Sequence, residues 1–268
     1  MTTKNDVLYI SHGGGPMPLL GDPGHQDMVD QLTGLAHQLP RPSAILVISA
    51  HWEEALPTIT SGANPGLIYD YYGFPPEAYR IEYPCPGEPE LAKQVFHALE
   101  EAGLPARLDD QRGFDHGLFV PLKLMYPEAD IPCIQLSLVN SLDASLHLAI
   151  GRALQAIDYD NLMVIGSGFS FHNMRAFFAV DTPETQARNR AFEEWLEQTC
   201  ADKEMDESER EQRLIHWGEA PHARFCHPRE EHLLPLHVCY GLANKPSDTH
   251  SSVSILGKES GFFYWKAG

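Results

Sequence analysis

The stretch Ala44–Trp52, AILVISAHW, constrains the fold more than any other part of the chain. Ile45, Leu46, Val47 and Ile48 follow one another without a polar alternation, so the strand they form has to be covered on both faces. Such strands belong to the interior of an α/β sheet. Ligands of these sheets collect outside the carboxyl ends of the strands. In this chain the apolar run stops there at His51, followed by Trp52 and two glutamates.

The same local design recurs. Val7–Ser11 reads as a short strand ending in His12-Gly13-Gly14-Gly15-Pro16, where the glycines allow a tight turn and a close backbone approach to whatever the histidine holds. Asn161–Ile165 reads as a strand running into Gly166-Ser167-Gly168 and then Phe171-His172-Asn173. Ile131–Val139 is a further buried strand, and 56–61 a shorter one. Helical periodicity covers 25–39, 89–102, 143–157, 181–200 and 206–217, and LLPLHVCYGLA from Leu233 reads as a buried helix. His97 and His147 are expected on the solvent sides of their helices. The C-terminal SVSILGKESGFFYWKAG reads as a closing hairpin or edge strands. Alternating strands and helices without a repeat or linker predict one α/β domain over 1–268, with a mostly parallel or mixed sheet flanked by helices.

Composition narrows the function. The formal charge of −18 gives nucleic-acid phosphates and anionic membrane surfaces little to hold. No apolar run is long enough to span a bilayer, and the N-terminus lacks a signal-like pattern, so a cytoplasmic location is expected. Five cysteines without a CxxC pair suggest neither a disulfide framework nor a thiolate zinc cluster. Fourteen histidines are therefore the main source of chemistry.

Several segments allow two readings. HGGG is also the oxyanion-hole signature of some esterases, but no G-x-S-x-G elbow follows; Gly166–His172 has the wrong spacing. In Gly113-Phe114-Asp115-His116-Gly117 the carboxylate either fixes the imidazole tautomer or caps the helix that follows. The segment 70–89, DYYGFPPEAYRIEYPCPGEP, is either a packed surface loop or an ordered loop closing over a site, with Tyr72, Phe74, Tyr79 and Arg80 as candidates to line it. His227, Glu230, Glu231 and His232 form the last dense group of possible ligands. Imidazoles without thiolates suit iron, zinc, copper or nickel, and a site with open positions suits non-haem Fe(II).

These pieces together resemble the class III, LigB-type extradiol ring-cleaving dioxygenases, and within them the DOPA 4,5-dioxygenase branch. The matching text is SHGGGP at His12, SAHW at His51, GFP and YPCPGEP between Gly73 and Pro89, GFDHG at His116, MYPEADIPCIQLSL from Met125, GSGFSFHN at His172 and REEHLLPL at His232. The resemblance implies ring opening of a small catecholic substrate by dioxygen at one divalent metal. Fe(II) would be the active ion and Zn(II) a competitor for the same nitrogens. It implies His12, His51 and His232 as metal ligands, with Glu230 or Glu231 as a substitute for the third. His172 would be the acid/base or a fourth ligand, and His116 a histidine near substrate and oxygen. A zinc-dependent hydrolase and a non-catalytic metal-binding protein on the same fold are the alternatives. The expected assembly is a monomer or a small homo-oligomer.

Overall fold

In the computed structural model, which describes residues 5–268, eight strands form one sheet in the order β4-β3-β5-β2-β6-β1-β8-β7. In chain order the elements are β1 (Asp6–Ser11), α1 (Gln26–Gln38), β2 (Ala44–Glu54), β3 (Thr58–Thr60), α2 (Pro89–Glu101), β4 (Arg107–Asp109), α3 (His116–Met125), β5 (Cys133–Val139), α4 (Ala144–Ala153) and β6 (Leu162–Gly168). They continue with α5 (Met174–Phe178), α6 (Pro183–Ala201), α7 (Glu207–Ile215), α8 (Ala223–Cys226), α9 (Leu234–Ala243), β7 (Thr249–Ile255) and β8 (Lys258–Trp265). The four central strands β5, β2, β6 and β1 run parallel. The closing hairpin β7–β8 joins β1 antiparallel, which makes the sheet mixed. The expected fold class and hairpin are both present.

The uninterrupted apolar run of β2 is accounted for by two cores. Ala44, Leu46 and Ile48 face one layer with residues of α2, α4 and α9, whereas Ile45 and Val47 face the other with Met28 and Leu32 of α1 and Leu118 and Phe119 of α3. Successive side chains of a strand alternate between faces, so every residue of the run is buried. Each such side chain contributes roughly 1.5–3 kcal/mol by leaving water. Both layers lock the central strands in register, and that rigidity is passed on to their carboxyl ends.

The interior also takes His147, which the sequence reading placed in solvent. It is fully buried; its Nε2 accepts from Val139 N at 3.1 Å and its Nδ1 donates to Asp143 O at 2.7 Å. The α4 periodicity puts position 147 on the same side as Ile150, Gly151 and Leu154, which are all buried. Backbone partners satisfied a polar ring where polarity alone suggested exposure.

Candidate metal centre

The carboxyl ends of β1, β2 and β6 lie side by side, and each delivers part of one cluster. His12 follows β1 directly. Its turn is tied down by His25, whose Nδ1 donates to Asp22 Oδ2 at 2.7 Å and whose Nε2 accepts from Gly14 N at 2.9 Å. A side chain on Gly13, where φ is +81°, would meet His25 at 2.7 Å. The close approach permitted by these glycines is thus to protein: Gly13 and Gly14 face His25, and Gly15 faces Phe74.

His51 is aimed by an irregularity in β2. Ser49 pairs with Ser137 and Glu53 with the next residue, Leu138, so Ala50, His51 and Trp52 bulge out of the ladder against β5. Bulges of this kind re-aim side chains. His232 comes from the segment before α9, which can approach β6 because Gly168 has no side chain; a Cβ there would lie 2.1 Å from His232 O. Phe169 N and Tyr9 Oη each donate to that carbonyl at 3.0 Å, fixing the backbone of His232.

The three rings converge through Nε2. His12 Nε2 and His51 Nε2 are 2.9 Å apart, and His51 Nε2 and His232 Nε2 are 3.3 Å apart. Behind each ring an oxygen faces Nδ1: Ser167 Oγ at 3.0 Å from His12, Glu231 Oε1 at 3.1 Å from His232, and Asp70 Oδ2 at 3.8 Å from His51. Ser167 gives its own proton to Gly117 O, so its oxygen accepts from His12 Nδ1–H. That tautomer leaves a lone pair on Nε2, and Nδ1–H donation from His232 to Glu231 does the same there. Lone pairs facing one another at these separations suit a shared cation. Nitrogens bonded to one ion at about 2.1 Å stand about 3.0–3.4 Å apart, so the donor set fits a divalent metal.

Two more histidines flank the cluster. His116 Nδ1 donates to Asp70 Oδ1 at 2.8 Å, its backbone N–H donates to the same oxygen at 3.0 Å, and its ring lies 3.8 Å from that of His51. His172 stacks on His232 at 3.4 Å, with Nδ1 3.3 Å from Glu231 Oε1. Ligand atoms of His12, His51 and His116 lie within 4.8 Å of one another, as do those of His172, Glu231 and His232. The carboxylate that fixes His116 is therefore Asp70. Asp115 instead caps α3, accepting from Gly117 N at 3.0 Å and from Ser49 Oγ at 2.8 Å.

Electrostatics favour the neutral ligand form. Burial first, then the neighbouring imidazoles, holds His12 and His51 well below the ordinary histidine range. His232 is lowered to about 3, chiefly by burial. Burial would raise the carboxyls of Asp70 and Glu231, but hydrogen bonds to His116 and to His172 and His232 outweigh it, so both remain anionic.

The remaining candidates are divided. Glu230 pairs with Arg224 at 2.6 Å, whereas Glu231 faces His172 and His232. Tyr72 is 91% exposed and Arg80 is exposed, while Phe74 packs edge-on against Tyr71 at 5.5 Å. Tyr71, which sequence reasoning passed over, is the loop ring beside His116, at 5.7 Å. Phe169 lies 6.5 Å from both His12 and His172. Asp70 and Ser167 were also missed: nothing in their local sequence marks a partner that the fold brings from elsewhere. His227 belongs to the interior, donating through Nε2 to Ser170 O.

The chain is similar to known proteins over nearly its whole length. Residues 6–263 match the family described as the catalytic LigB subunit of aromatic ring-opening dioxygenase. A dioxygenase named tasH from Hapsidospora irregularis is 41% identical over 97% of this chain and 85% of its own length. A 4,5-DOPA dioxygenase extradiol from Beta vulgaris is 38% identical over 90% of this chain and 88% of its own. The crystal structure of an uncharacterized Escherichia coli K12 protein superposes with a TM-score of 0.77 at 28% identity, covering 97% of this chain and 99% of that one. With a metal-competent histidine cluster at the carboxyl edge of its sheet and a family match over nearly its whole length, the chain belongs to the LigB family of extradiol, aromatic ring-opening dioxygenases.

Proposed function

We propose that the protein opens the ring of a small catecholic substrate, DOPA-like or simpler, next to its hydroxyl pair, with Fe(II) held by His12, His51 and His232. The observation that carries this reading is the convergence of three Nε2 atoms at 2.9 and 3.3 Å, with two of the rings hydrogen-bonded behind through Nδ1. Bound there, Fe(II) supplies a Lewis acid for the catechol oxygens and an electron path from ring to dioxygen, the second of which Zn(II), having no redox chemistry, lacks. Three protein nitrogens leave room for a chelating catechol and for dioxygen.

The proton work falls to the flanking histidines. His172 is partly exposed at the open side, and its Nδ1 is engaged by Glu231, so Nε2 can accept a catechol hydroxyl proton and return it to the product. Glu231 stabilises the imidazolium that results. His116, buried and held by Asp70, sits against His51 on the far side of the cluster, suited to donating a proton where oxygen is reduced. Tyr71 beside His116 and Phe169 beside His12 and His172 provide apolar surface next to the cluster, which suits a planar ring.

The test is oxygen uptake with a catechol panel, comparing protein loaded anaerobically with Fe(II) or with Zn(II). The expected result is stoichiometric uptake and a yellow semialdehyde product with Fe(II) alone. Ester or amide hydrolysis supported by Zn(II), without oxygen uptake, would overturn it.

A further inference from the structure

Resting on the metal site proposed above, we infer that Asp70 is a positioning residue that ties the aromatic loop to the metal centre. Placement of the loop and orientation of a ligand imidazole then become one event. Asp70 opens the loop and spends one oxygen, Oδ1, on both the backbone N–H and the ring Nδ1–H of His116. The other oxygen, Oδ2, stands 3.8 Å from His51 Nδ1, so one carboxylate faces a ligand histidine and the tilted ring beside it together. Glu231 repeats this pattern at His232 and His172.

What distinguishes Asp70 is the segment attached to it. The loop holds itself together: Tyr69 Oη donates to Ile81 O at 2.7 Å, Tyr71 Oη donates to Ala78 O at 2.6 Å, and Phe74 N donates to Tyr79 Oη at 3.4 Å. Tyr69, Tyr71, Phe74 and Tyr79 also pack ring against ring at 5.5–6.2 Å. A segment braced in this way holds one shape, so the position of Asp70 and that of the loop are set together. His51 has the longest Nδ1 contact of the three ligands, so it has the most orientation to gain when Asp70 closes on it.

The experiment measures Co(II) binding by calorimetry and by the ligand-field spectrum, in wild type and in Asp70→Asn. Thermal unfolding of the metal-free proteins serves as a check on folding. Removing an oxygen that faces a ligating histidine is expected to weaken Co(II) about 10- to 100-fold and to change the spectrum. In the wild type, Co(II) should also slow tryptic cleavage after the exposed Arg80 several-fold, and this protection should be lost in Asp70→Asn. Wild-type Co(II) affinity and spectrum in a folded Asp70→Asn would overturn the inference while leaving the metal site intact. Should the variant fail to fold, the wild-type digestion decides, and cleavage after Arg80 at the same rate with and without Co(II) would overturn it. A wild type that binds no Co(II) would instead overturn the site assignment, and this inference with it.

Discussion

The histidines at the carboxyl edge of the sheet and those in the interior are both engaged by hydrogen bonds, yet only the edge group brings ring nitrogens together. In the interior, His147 uses both ring nitrogens on backbone atoms, and His237 spends its one N–H on Leu214 O at 2.8 Å. At the edge, His12, His116, His172 and His232 are held from behind through Nδ1 by a side-chain oxygen, and the Nε2 atoms of His12, His51 and His232 meet. Burial lowers the basicity of His12, His51 and His232 at the edge and of His147 and His237 in the interior. The difference lies in where the second nitrogen points: at the edge it meets other imidazole nitrogens, whereas in the interior it is spent on backbone, as in His147, or enclosed without a partner, as Nδ1 of His227 is.

Three substitutions test that distinction, in descending order of expected effect. His172→Ala removes the proposed base but no ligand. Turnover should fall by about 10²–10⁴-fold with metal content unchanged, read by steady-state oxygen uptake beside elemental analysis. Undiminished turnover would mean that His172 is no base. Ser167→Ala frees His12 Nδ1 and should weaken metal affinity about 10- to 100-fold in a calorimetric titration, with smaller consequences for turnover at saturating metal.

The interior supplies the third. His147→Leu leaves Val139 N–H without its acceptor and should cost about 1–3 kcal/mol in denaturant unfolding while metal affinity stays at the wild-type value. The same ring gives a pH signature. Its folded-state value is pushed down to about 4 by burial, so between the ordinary range near 6.5 and about 4 the unfolded chain binds the proton and the native one does not. Stability is therefore full above that window and declines as pH falls through it. His147→Leu should flatten part of that decline; the other buried histidines, among them His227 and His232, both pushed down to about 3, maintain the rest.

The parts of the molecule written in local pattern could be read in advance. The interior strand β2, the strand–histidine junction at His12, the buried α9 and the closing hairpin all follow from runs of apolar residues and the residues that interrupt them, whereas His51, expected to close its strand, lies inside β2, which runs on to Glu54. What stayed hidden depends on partners distant in sequence. The bulge at Ala50–Trp52 exists only against β5; Asp70 matters only because the fold sets it beside His116, 46 positions away. Polarity alone sets His147 in solvent, whereas its helical period, shared with Ile150 and Leu154, sets it inside. The glycines after His12 were read as making room for a ligand, whereas Gly13 and Gly14 make room for His25.

The central claim is that His12, His51 and His232 share one ion through Nε2, with His116 and His172 standing by. A crystal structure of the metal-loaded protein, with the ion located by its anomalous scattering, tests it most directly. The account predicts a single peak bonded to those three Nε2 atoms at about 2.0–2.3 Å with positions left open. An ion held through His116 in place of His232, or lying between His172 and Glu231 away from His12, would contradict it.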